Sequence, residues 1–328
     1  MKLLVVGGAG YIGSATCRIL LDAGNEVVVL DNLSKGHLEA VPGGARIIQG
    51  DLGDRALVSD LLRREGIETV LHFAAFTEVG ESVKAPAEFF DNNCVKTKNL
   101  LDGLIEAGVE RFIFSSTAAV YGEPVEVPIT EDHPKSPTNP YGWSKLFVEE
   151  MLNAYRVAYG LRSVRLRYFN AAGALPGMGE DHAPESHLIP VVLQVALGQR
   201  ESIKMFGTDW DTPDGTCVRD YIHIADLADA HLKAAELLAG GGEGGVFNLG
   251  NGEGHSVQEV IDTAREITGH EIPAESAPRR DGDPARLVAS SDNAKKILGW
   301  VPQFPGLDDI IASAWEWHQN HPRGYSQE

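Results

Sequence analysis

Residues 3–13, Leu-Leu-Val-Val-Gly-Gly-Ala-Gly-Tyr-Ile-Gly, decide the fold of this 328-residue chain. The apolar residues 3–6 predict a short strand that runs into a glycine-rich turn, and a helical pattern follows as far as Gly24. A second strand is predicted from Glu26 to its end at Asp31. In such a β–α–β unit, glycines at the first turn let backbone amides approach a pyrophosphate at the helix N-terminus. The stretch therefore predicts a dinucleotide-binding unit.

Asp31 indicates which dinucleotide is bound. A carboxylate at the end of the second strand of such a unit binds the ribose hydroxyls of the cofactor. Because this carboxylate would repel the additional phosphate of NADP, it favours NAD.

The alternation of strands and helices continues along the chain. Further strands are predicted at 46–49, 69–73, 112–115 and 246–249, and helices at 82–107, 141–159 and 225–238. This order implies an α/β fold with a doubly wound parallel sheet of the Rossmann type, whose ligands bind at the carboxyl ends of the strands. A second, smaller α/β domain is expected from residue 170 onward. The predicted domains are 1–169, to which 224–250 returns, and 170–328.

The composition argues against several classes of protein. Hydrophobic residues make up 43% of the chain, and no apolar run reaches the ~18–20 residues of a membrane span. Residues 3–6 are too few for the apolar region of a signal peptide. The net charge of −19 argues against a nucleic-acid partner, which would need a basic face. Three widely separated cysteines without a Cys-x-x-Cys pair fit a reducing cytoplasm.

His182 and His187 are the candidates for a metal site, because they lie close together in an acidic loop. Metal sites need three or four converging ligands, and the sequence does not indicate partners for this pair. We therefore expect both rings to be solvated and predict no metal.

The segment Tyr141-Gly-Trp-Ser-Lys145 is the candidate for chemistry. Asn139 and Pro140 predict a helix start, so Tyr141 and Lys145 lie one turn apart on one helical face. A lysine ammonium there would lower the pKa of the phenol, which normally lies near ~10. A tyrosine tuned in this way exchanges a proton with a substrate hydroxyl near neutral pH. The spacing alone is common, and it gains meaning only from the predicted nucleotide fold.

The strand predicted at 112–115 runs into Ser116 and Thr117. Because Thr117 lies at its carboxyl end, we expect it to converge with the Tyr141–Lys145 pair at one edge of the sheet. The glycine turn, the strand-end threonine and Tyr-x-x-x-Lys, in that order, resemble the extended short-chain dehydrogenase/reductase superfamily. Further motifs resemble the UDP-glucose 4-epimerase family over nearly the whole chain. They are GGAGYIG at 7–13, VGESV at 79–83, SSTAAVYG at 115–122, NPYGWSK at 139–145, RYFNAAGA at 167–174, HLIP at 187–190, DGTCVRDYIH at 214–223 and RRDGDPA at 279–285.

This resemblance implies an NAD-dependent enzyme of galactose metabolism that interconverts UDP-galactose and UDP-glucose through a 4-keto sugar, by reversible hydride transfer at C4. The catalytic residues would be Thr117, Tyr141 and Lys145. The NAD-binding residues would be Gly7, Gly10, Tyr11, Ile12, Gly13, Asp31, Asn32, Asp51, Leu52, Phe73, Ala74, Asn92, Tyr141, Lys145 and Tyr168. The UDP-sugar-binding residues would be Thr117, Tyr141, Asn170, Leu188, Phe206, Arg219, Arg280, Asp283 and Leu287.

The residues of the second half admit two interpretations. Arginines are the donors that a diphosphate needs, and Arg219, Arg279 and Arg280 are among the few basic residues of an acidic chain. Arg219 can equally pair with the adjacent Asp220. Phe206 can stack on uracil or pack in the core.

The chain departs from the family pattern at two positions. Thr77 stands where the family often has a lysine near the cofactor pyrophosphate, which puts that contact in doubt. Leu287 occupies a position that helps to set the room beside the sugar. Relatives strict for glucose and galactose tend to be bulky there, and those that accept N-acetyl sugars tend to be small. Leucine is intermediate in size. A packing role for Leu287 therefore stays open, and so does the alternative that the chain is a 4-epimerase for UDP-N-acetylhexosamines or UDP-pentoses.

Two other functions share this frame. Nucleotide-sugar 4,6-dehydratases resemble the chain but carry an Asp-Glu pair where it has Ala118-Ala119, which argues against dehydration. A dinucleotide sensor without chemistry is disfavoured because Thr117, Tyr141 and Lys145 are all present. Relatives pair through helices like 82–107 and 141–159, so the resemblance also implies a homodimer with a small-molecule substrate and no membrane partner.

Overall fold

The computed structural model describes residues 1–280 and 282–325. Asp281, within the motif at 279–285, and residues 326–328, the end of the predicted second domain, lie outside the described residues.

Strands and helices alternate through the first half. The strands are β1 (Lys2–Val6), β2 (Glu26–Asp31), β3 (Arg46–Gln49), β4 (Thr69–His72), β5 (Arg111–Thr117), β6 (Arg162–Tyr168), β7 (Asn170–Ala172), β8 (Ile203–Phe206), β9 (Val218–His223), β10 (Gly244–Leu249), β11 (Gly254–Ser256), β12 (Ala274–Ala277) and β13 (Arg286–Leu287). The α-helices are α1 (Tyr11–Asp22), α2 (Arg55–Glu65), α3 (Val79–Lys84), α4 (Pro86–Phe90), α5 (Lys96–Ala107), α6 (Pro140–Tyr159), α7 (Leu188–Ala196), α8 (Ile224–Ala239), α9 (Val257–Thr268) and α10 (Leu307–Asn320).

A seven-stranded sheet in the order β10-β6-β5-β4-β1-β2-β3 forms the centre of the protein, and all its neighbouring strands are parallel. Both faces are buried, as in parallel sheets covered by helices. Leu3 and Val5 of β1 belong to the apolar core on one face, and Leu4 and Val6 to the core on the other. The predicted doubly wound α/β fold is confirmed. Among the described residues, no helix is both long and apolar enough to cross a membrane.

The second half builds two smaller sheets. In the first, β9 lies between β11 and β13 and also pairs with β7, and in the second β8 pairs with β12. Helices α7, α9 and α10 share an apolar core beside these sheets. The chain also returns to the central sheet, because β10 pairs with β6 and α8 packs against α1.

The helix predicted over 82–107 is wrong as a single element. It consists of α3, α4, a π-helical turn at Asp91–Val95, and α5. Ala85 between α3 and α4 has φ −128° and ψ 56°, outside the helical region. The ring of Pro86 causes this break, because a proline disfavours helical geometry at the residue before it.

Candidate active site at the carboxyl edge of the central sheet

The glycine turn between β1 and α1 is built so that side chains are excluded from it. Gly7 has φ +83°, and a Cβ there would lie 2.5 Å from the backbone nitrogen of Ala74. A Cβ at Gly13 would clash with the carbonyl oxygen of Gly7. At Gly10 the protein leaves room, since a Cβ would meet only the Gly7 oxygen at 3.5 Å. Packing thus requires a glycine at positions 7 and 13, whereas Gly10 borders open space at a helix N-terminus.

The N-terminus of α1 suits an anion. Gly10 is its N-cap, and neither a capping side chain nor an acidic residue occupies the first turn. The first amides of a helix lack intrahelical partners, and the helix dipole makes this end positive. The turn therefore has the donors and the shape that a pyrophosphate requires, with Tyr11 and Ile12 as the first helical residues.

Asp31, at the end of β2, lies beside this turn. Its carboxylate is buried and accepts hydrogen bonds from the amide of Ala9 (2.9 Å) and the amide of Leu33 (2.8 Å). Nearby, Asn32 donates to the carboxylate of Asp51 (3.0 Å), which also binds Lys96 (2.9 Å). Leu52, predicted beside them, is buried in the core.

The end of β4 lies directly against the glycine turn. The amides of Phe73 and Ala74 both donate to the carbonyl of Val6, at 2.8 and 3.2 Å. Asn92 lies in the π-helical turn before α5 and donates to the side chain of Asn93 (3.1 Å).

The predicted catalytic residues come together at the end of β5. Thr117 and Tyr168 are register partners on β5 and β6. Helix α6 starts beside them, because a Cβ at Gly142 would lie 2.6 Å from the carbonyl oxygen of Ala119. Its start is fixed by Asn139, whose side chain accepts from the amide of Gly142 (2.9 Å). The predicted helix start is thereby confirmed.

The Lys145 ammonium is buried beneath Tyr141. Its Nζ donates to the carbonyl of Ser115 (2.8 Å) and lies 6.0 Å from the centre of the Tyr141 ring. Burial lowers the pKa of Lys145 to about 7. An uncharged lysine cannot stabilise a phenolate, so the protonation of this residue matters for the tyrosine.

The pKa of Tyr141 differs from the prediction. Burial raises it to about 12, although the hydroxyl of Thr117 acts in the opposite direction and lowers it. The predicted lowering of this pKa by the Lys145 ammonium is therefore not found in the protein by itself. Desolvation of the buried phenolate is the largest cause of the raised pKa, and the negative charge of Glu78 raises it further.

The second half presents its basic residues near β9. Arg219 lies 3.7 Å from Asp283, measured from Nη2 to Oδ1, and does not pair with its neighbour Asp220. Asp220 is buried and accepts from the amides of Asn251 (2.8 Å), Gly252 and Ala289. Successive residues of a strand face opposite sides, which explains why the pairing of adjacent residues does not form.

Arg280 and Arg279 face different partners. The Arg280 guanidinium stacks on the ring of Phe206, 3.8 Å from its centre, so this phenylalanine is not a core residue. Arg279 stacks on Trp210 at 4.0 Å and donates to Asp209 (2.8 Å). Of the two, only Arg280 lies on the predicted uracil-stacking residue.

The remaining predicted substrate residues belong to β7, α7 and β13. Asn170 opens β7, two residues after Tyr168, and its side-chain amide nitrogen donates to the carbonyl of Asp220 (3.1 Å). Leu188 is the first residue of α7. Leu287 pairs in register with Arg219 and packs against a small apolar cluster that contains Ala118. Leu287 therefore lies between Arg219 and Ala118, the residue that follows Thr117.

His182 and His187 are not simply solvated, contrary to the sequence analysis. Their Nδ1 atoms lie 3.1 and 2.9 Å from the same oxygen of Glu180, and Glu185 lies on the other side. Although burial disfavours the charged rings, the two carboxylates raise the pKa of His182 to about 9 and that of His187 to about 11. The sequence contained this signal in the repeated Glu-x-His spacing at 180–182 and 185–187.

Sequence reasoning missed three residues that position the site. Asn93 is buried and donates both to the carbonyl of Phe76 (2.9 Å) and to the hydroxyl of Ser144 (3.0 Å), which joins the loop after β4 to α6. Lys35 lies 3.6 Å from Glu78, next to the position where the family lysine is replaced by Thr77. His231 contacts the hydroxyl of Ser115 (3.2 Å). Of these three residues, only Asn93 has a signal in the sequence, because it forms an Asn-Asn pair with the predicted NAD-binding residue Asn92.

Comparison with known proteins gives the chain its relatives. The family described as the NAD dependent epimerase/dehydratase family matches residues 3–250. A UDP-glucose 4-epimerase of Halalkalibacterium halodurans is 56% identical over 330 residues, which covers 100% of this chain and 98% of that protein. A solved UDP-glucose 4-epimerase has 53% identity and a TM-score of 0.97, with both chains covered completely. The enzyme of Bifidobacterium longum, solved with NAD⁺ and UDP, has 40% identity and a TM-score of 0.94, covering 99% of this chain and 100% of that one.

Proposed function

The chain belongs to the NAD dependent epimerase/dehydratase family, and from that premise we propose that it is a UDP-glucose 4-epimerase. It uses NAD to interconvert UDP-galactose and UDP-glucose through a 4-keto sugar. The relatives that match it over their full length carry this activity in their names, and they do not favour the alternative of an enzyme for N-acetylhexosamines or pentoses.

The observation that carries this proposal is the convergence of Thr117, Tyr141 and Lys145 at the carboxyl end of β5. Thr117 lies opposite Tyr168 in the sheet, and Lys145 is tied to the carbonyl of Ser115 in the same strand. This is where ligands of doubly wound sheets bind. A phenol, a hydroxyl and an ammonium at this edge can bind one substrate oxygen and move its proton.

Tyr141 acts as the proton acceptor for the sugar 4-hydroxyl and returns the proton in the second half of the reaction. In the protein alone its pKa of about 12 keeps the phenol neutral. When bound, NAD⁺ supplies the hydride acceptor and a positive charge that favours the phenolate. Thr117 hydrogen-bonds the same substrate oxygen as it becomes a carbonyl, and Lys145 supports the phenolate when it carries its proton.

The residues present fit NAD. The open face at Gly10, the uncapped N-terminus of α1 and the buried carboxylate of Asp31 match a pyrophosphate and a ribose. We propose that Asn32, Asp51, Leu52, Phe73, Ala74 and Asn92 line the adenine and ribose side, with Tyr168 at the nicotinamide end. Because the cofactor returns to NAD⁺ in every turnover, it stays bound.

UDP supplies the binding energy and leaves the sugar free to turn. We propose that Arg219 and Arg280 bind the diphosphate, Phe206 stacks on uracil, and Asn170 and Leu188 complete the site with Asp283. The stacking of Arg280 on Phe206 supports this, since a guanidinium and a ring at 3.8 Å offer a phosphate donor beside an aromatic face. A fixed UDP then lets the 4-keto hexose present its opposite face for the return of the hydride.

We also propose that the protein is a homodimer in the cytoplasm. Its exposed apolar residues include Val83 on α3, Val95 before α5, and Trp143 and Phe147 on α6. Phe147 lies 5.9 Å from Phe90 between ring centres, so α4 and α6 share one apolar surface. The free cysteines suit a reducing compartment. Mass measurement in solution tests the dimer, and a mass of about 35 kDa would contradict it.

The decisive experiment is to incubate the purified protein with UDP-galactose and NAD, without any reductant. UDP-glucose should accumulate to equilibrium, and no net NADH should form, because every hydride is returned. Absence of UDP-glucose in a preparation that retains NAD would overturn the proposed function.

A further inference from the structure

A second cluster of chemically active side chains lies in the loop between β7 and α7. Glu180, His182, Glu185 and His187 each place one ligand atom so that all four atoms lie within 4.8 Å of one another. None of them belongs to the proposed epimerase chemistry. They form an N₂O₂ set, which is a donor combination that proteins use for divalent transition metals.

The spacing of these atoms matches a tetrahedral ion. With metal–ligand bonds of about 2.0–2.1 Å, the edges of a tetrahedral site are about 3.3 Å long. The Nδ1 atom of His182 lies 3.1 Å from Glu180 and 3.7 Å from Glu185. The Nδ1 atom of His187 lies 2.9 and 3.1 Å from the same two carboxylates. The two contacts of Glu185 use different oxygens, and the four ligand atoms lie within 4.8 Å of one another, so the side chains would draw together slightly around a tetrahedral ion.

The carboxylates are buried, and the two histidine rings are their cationic neighbours. The side chains of Glu180 and Glu185 are only 6% and 4% exposed. Within residues 1–280 and 282–325, neither carboxylate forms an ion pair with lysine or arginine. Burial of two carboxylates side by side is costly unless cations compensate them.

One ring nitrogen of the cluster lies 3.1 Å from a carboxylate oxygen without the geometry of a hydrogen bond. The Nδ1 atom of His182 is buried and makes no hydrogen bond among the described residues, although it faces both carboxylates. Buried polar atoms almost always have a partner, and a ligand is one explanation for an exception. The rings themselves are 33% and 49% exposed, so an ion has an entry path from solvent on the histidine side.

We propose that Glu180, His182, Glu185 and His187 form a structural site for a divalent transition-metal ion, with zinc as the ion that fits the donors and geometry best. On binding, the ion would displace the protons of the two histidine rings, take their place as the charge that compensates both carboxylates, and fix the loop at 180–187.

The position of this loop explains what the ion would stabilise. The ring of His182 packs edge-on against Tyr11, the first residue of α1, at 6.4 Å between ring centres. His187 is the N-cap of α7, immediately before Leu188. The ion would therefore hold together the start of the cofactor-binding helix and the start of the predicted substrate-binding helix, and it would take no part in the hydride transfer.

Metal analysis of the full-length enzyme tests the site. The protein is purified without a histidine tag or chelator, its metal content is measured, and the stripped protein is titrated with Zn²⁺ against a chromogenic chelator. We expect one zinc per chain and a rise in Tm on zinc addition. The variant His182→Gln/His187→Gln should lose both, whereas His270→Gln, an exposed histidine that contacts Trp315, should retain both.

A second measurement needs no variant and so does not depend on folding of the double substitution. Co²⁺ is added to the stripped wild-type protein, and its visible spectrum and X-ray absorption are recorded. Tetrahedral coordination by nitrogen and oxygen supports the site. Octahedral, sulfur-containing or hydrated-ion spectra, or equal zinc binding by wild type and double variant, would overturn it and leave a histidine–carboxylate ion-pair cluster. Epimerase activity is not the readout, so this failure is distinct from failure of the proposed function.

Discussion

The two binding regions differ in what holds their ligand-facing groups. Around the β1–α1 turn the groups are mainly backbone amides, held by contacts such as the Gly7 turn against Ala74. Around β9 they are side chains that already have partners in the protein, as Arg219 has in Asp283 and Arg280 in Phe206. If the proposed assignment is right, the first region is preorganised for a cofactor that stays bound. The second must exchange these partners with a substrate that comes and goes, so damage to the two regions should affect different kinetic constants.

The largest effect should come from the chemistry between the regions. Tyr141→Phe removes only the hydroxyl, so NAD should remain bound while kcat falls by about 10²–10⁴-fold, the usual contribution of a general acid or base. The measurements are turnover of UDP-galactose and the NAD content of the purified protein. Tyr159→Phe, an exposed tyrosine at the end of the same helix, should be neutral. Near-normal turnover by Tyr141→Phe would show that the phenol does not move the proton.

Next in size is a break in the cofactor region. Gly13→Ala places a methyl group against the carbonyl oxygen of Gly7 and must displace the turn. Overpacking of this kind costs about 2 kcal/mol, so NAD binding should weaken roughly thirtyfold. Calorimetric titration of NAD into the stripped protein measures it. Gly43→Ala, where a Cβ meets no atom within 4 Å, is the control. Unchanged NAD affinity in Gly13→Ala would remove the contrast between the regions.

In the substrate region the effect should appear in KM. Arg280→Lys keeps the charge but loses the planar fork and the stack on Phe206, so KM for UDP-galactose should rise about tenfold with kcat nearly unchanged. Arg279→Lys is a matched control, because the guanidinium of Arg279 stacks on Trp210 and binds Asp209 instead of lying on Phe206. If both substitutions raise KM equally, general basicity and not the Arg280 geometry anchors UDP.

The smallest effect concerns the room beside the sugar. Leu287 packs against the cluster that contains Ala118, so a larger side chain there narrows the space next to Thr117. Leu287→Tyr should lower activity on UDP-N-acetylglucosamine more than on UDP-glucose, by roughly fivefold in the ratio of kcat/KM values. Leu287→Met, similar in volume, should leave the ratio unchanged. Equal losses on both substrates would mean that Leu287 only packs.

The local patterns predicted a large part of the fold. The strand Arg46–Gln49 was predicted to the residue, and the α6 start followed from Asn139-Pro140. Such features depend on nearest neighbours: a cap, a proline or an apolar run acts within one turn or one strand. The single helix predicted over 82–107 is wrong because Pro86 breaks it at Ala85, although a helical pattern continues on both sides.

The residue types, their order and the motifs they form were thus determined by the sequence alone, including Tyr141, Lys145, Thr117 and the glycine turn. Only the tertiary structure decided the electrostatics. Burial raises the Tyr141 pKa to about 12 and lowers that of Lys145 to about 7, and neither value depends on their spacing. Folding also gave His182 and His187 the two carboxylates that surround them. Desolvation and convergence arise from the whole packed chain, so no local pattern encodes them.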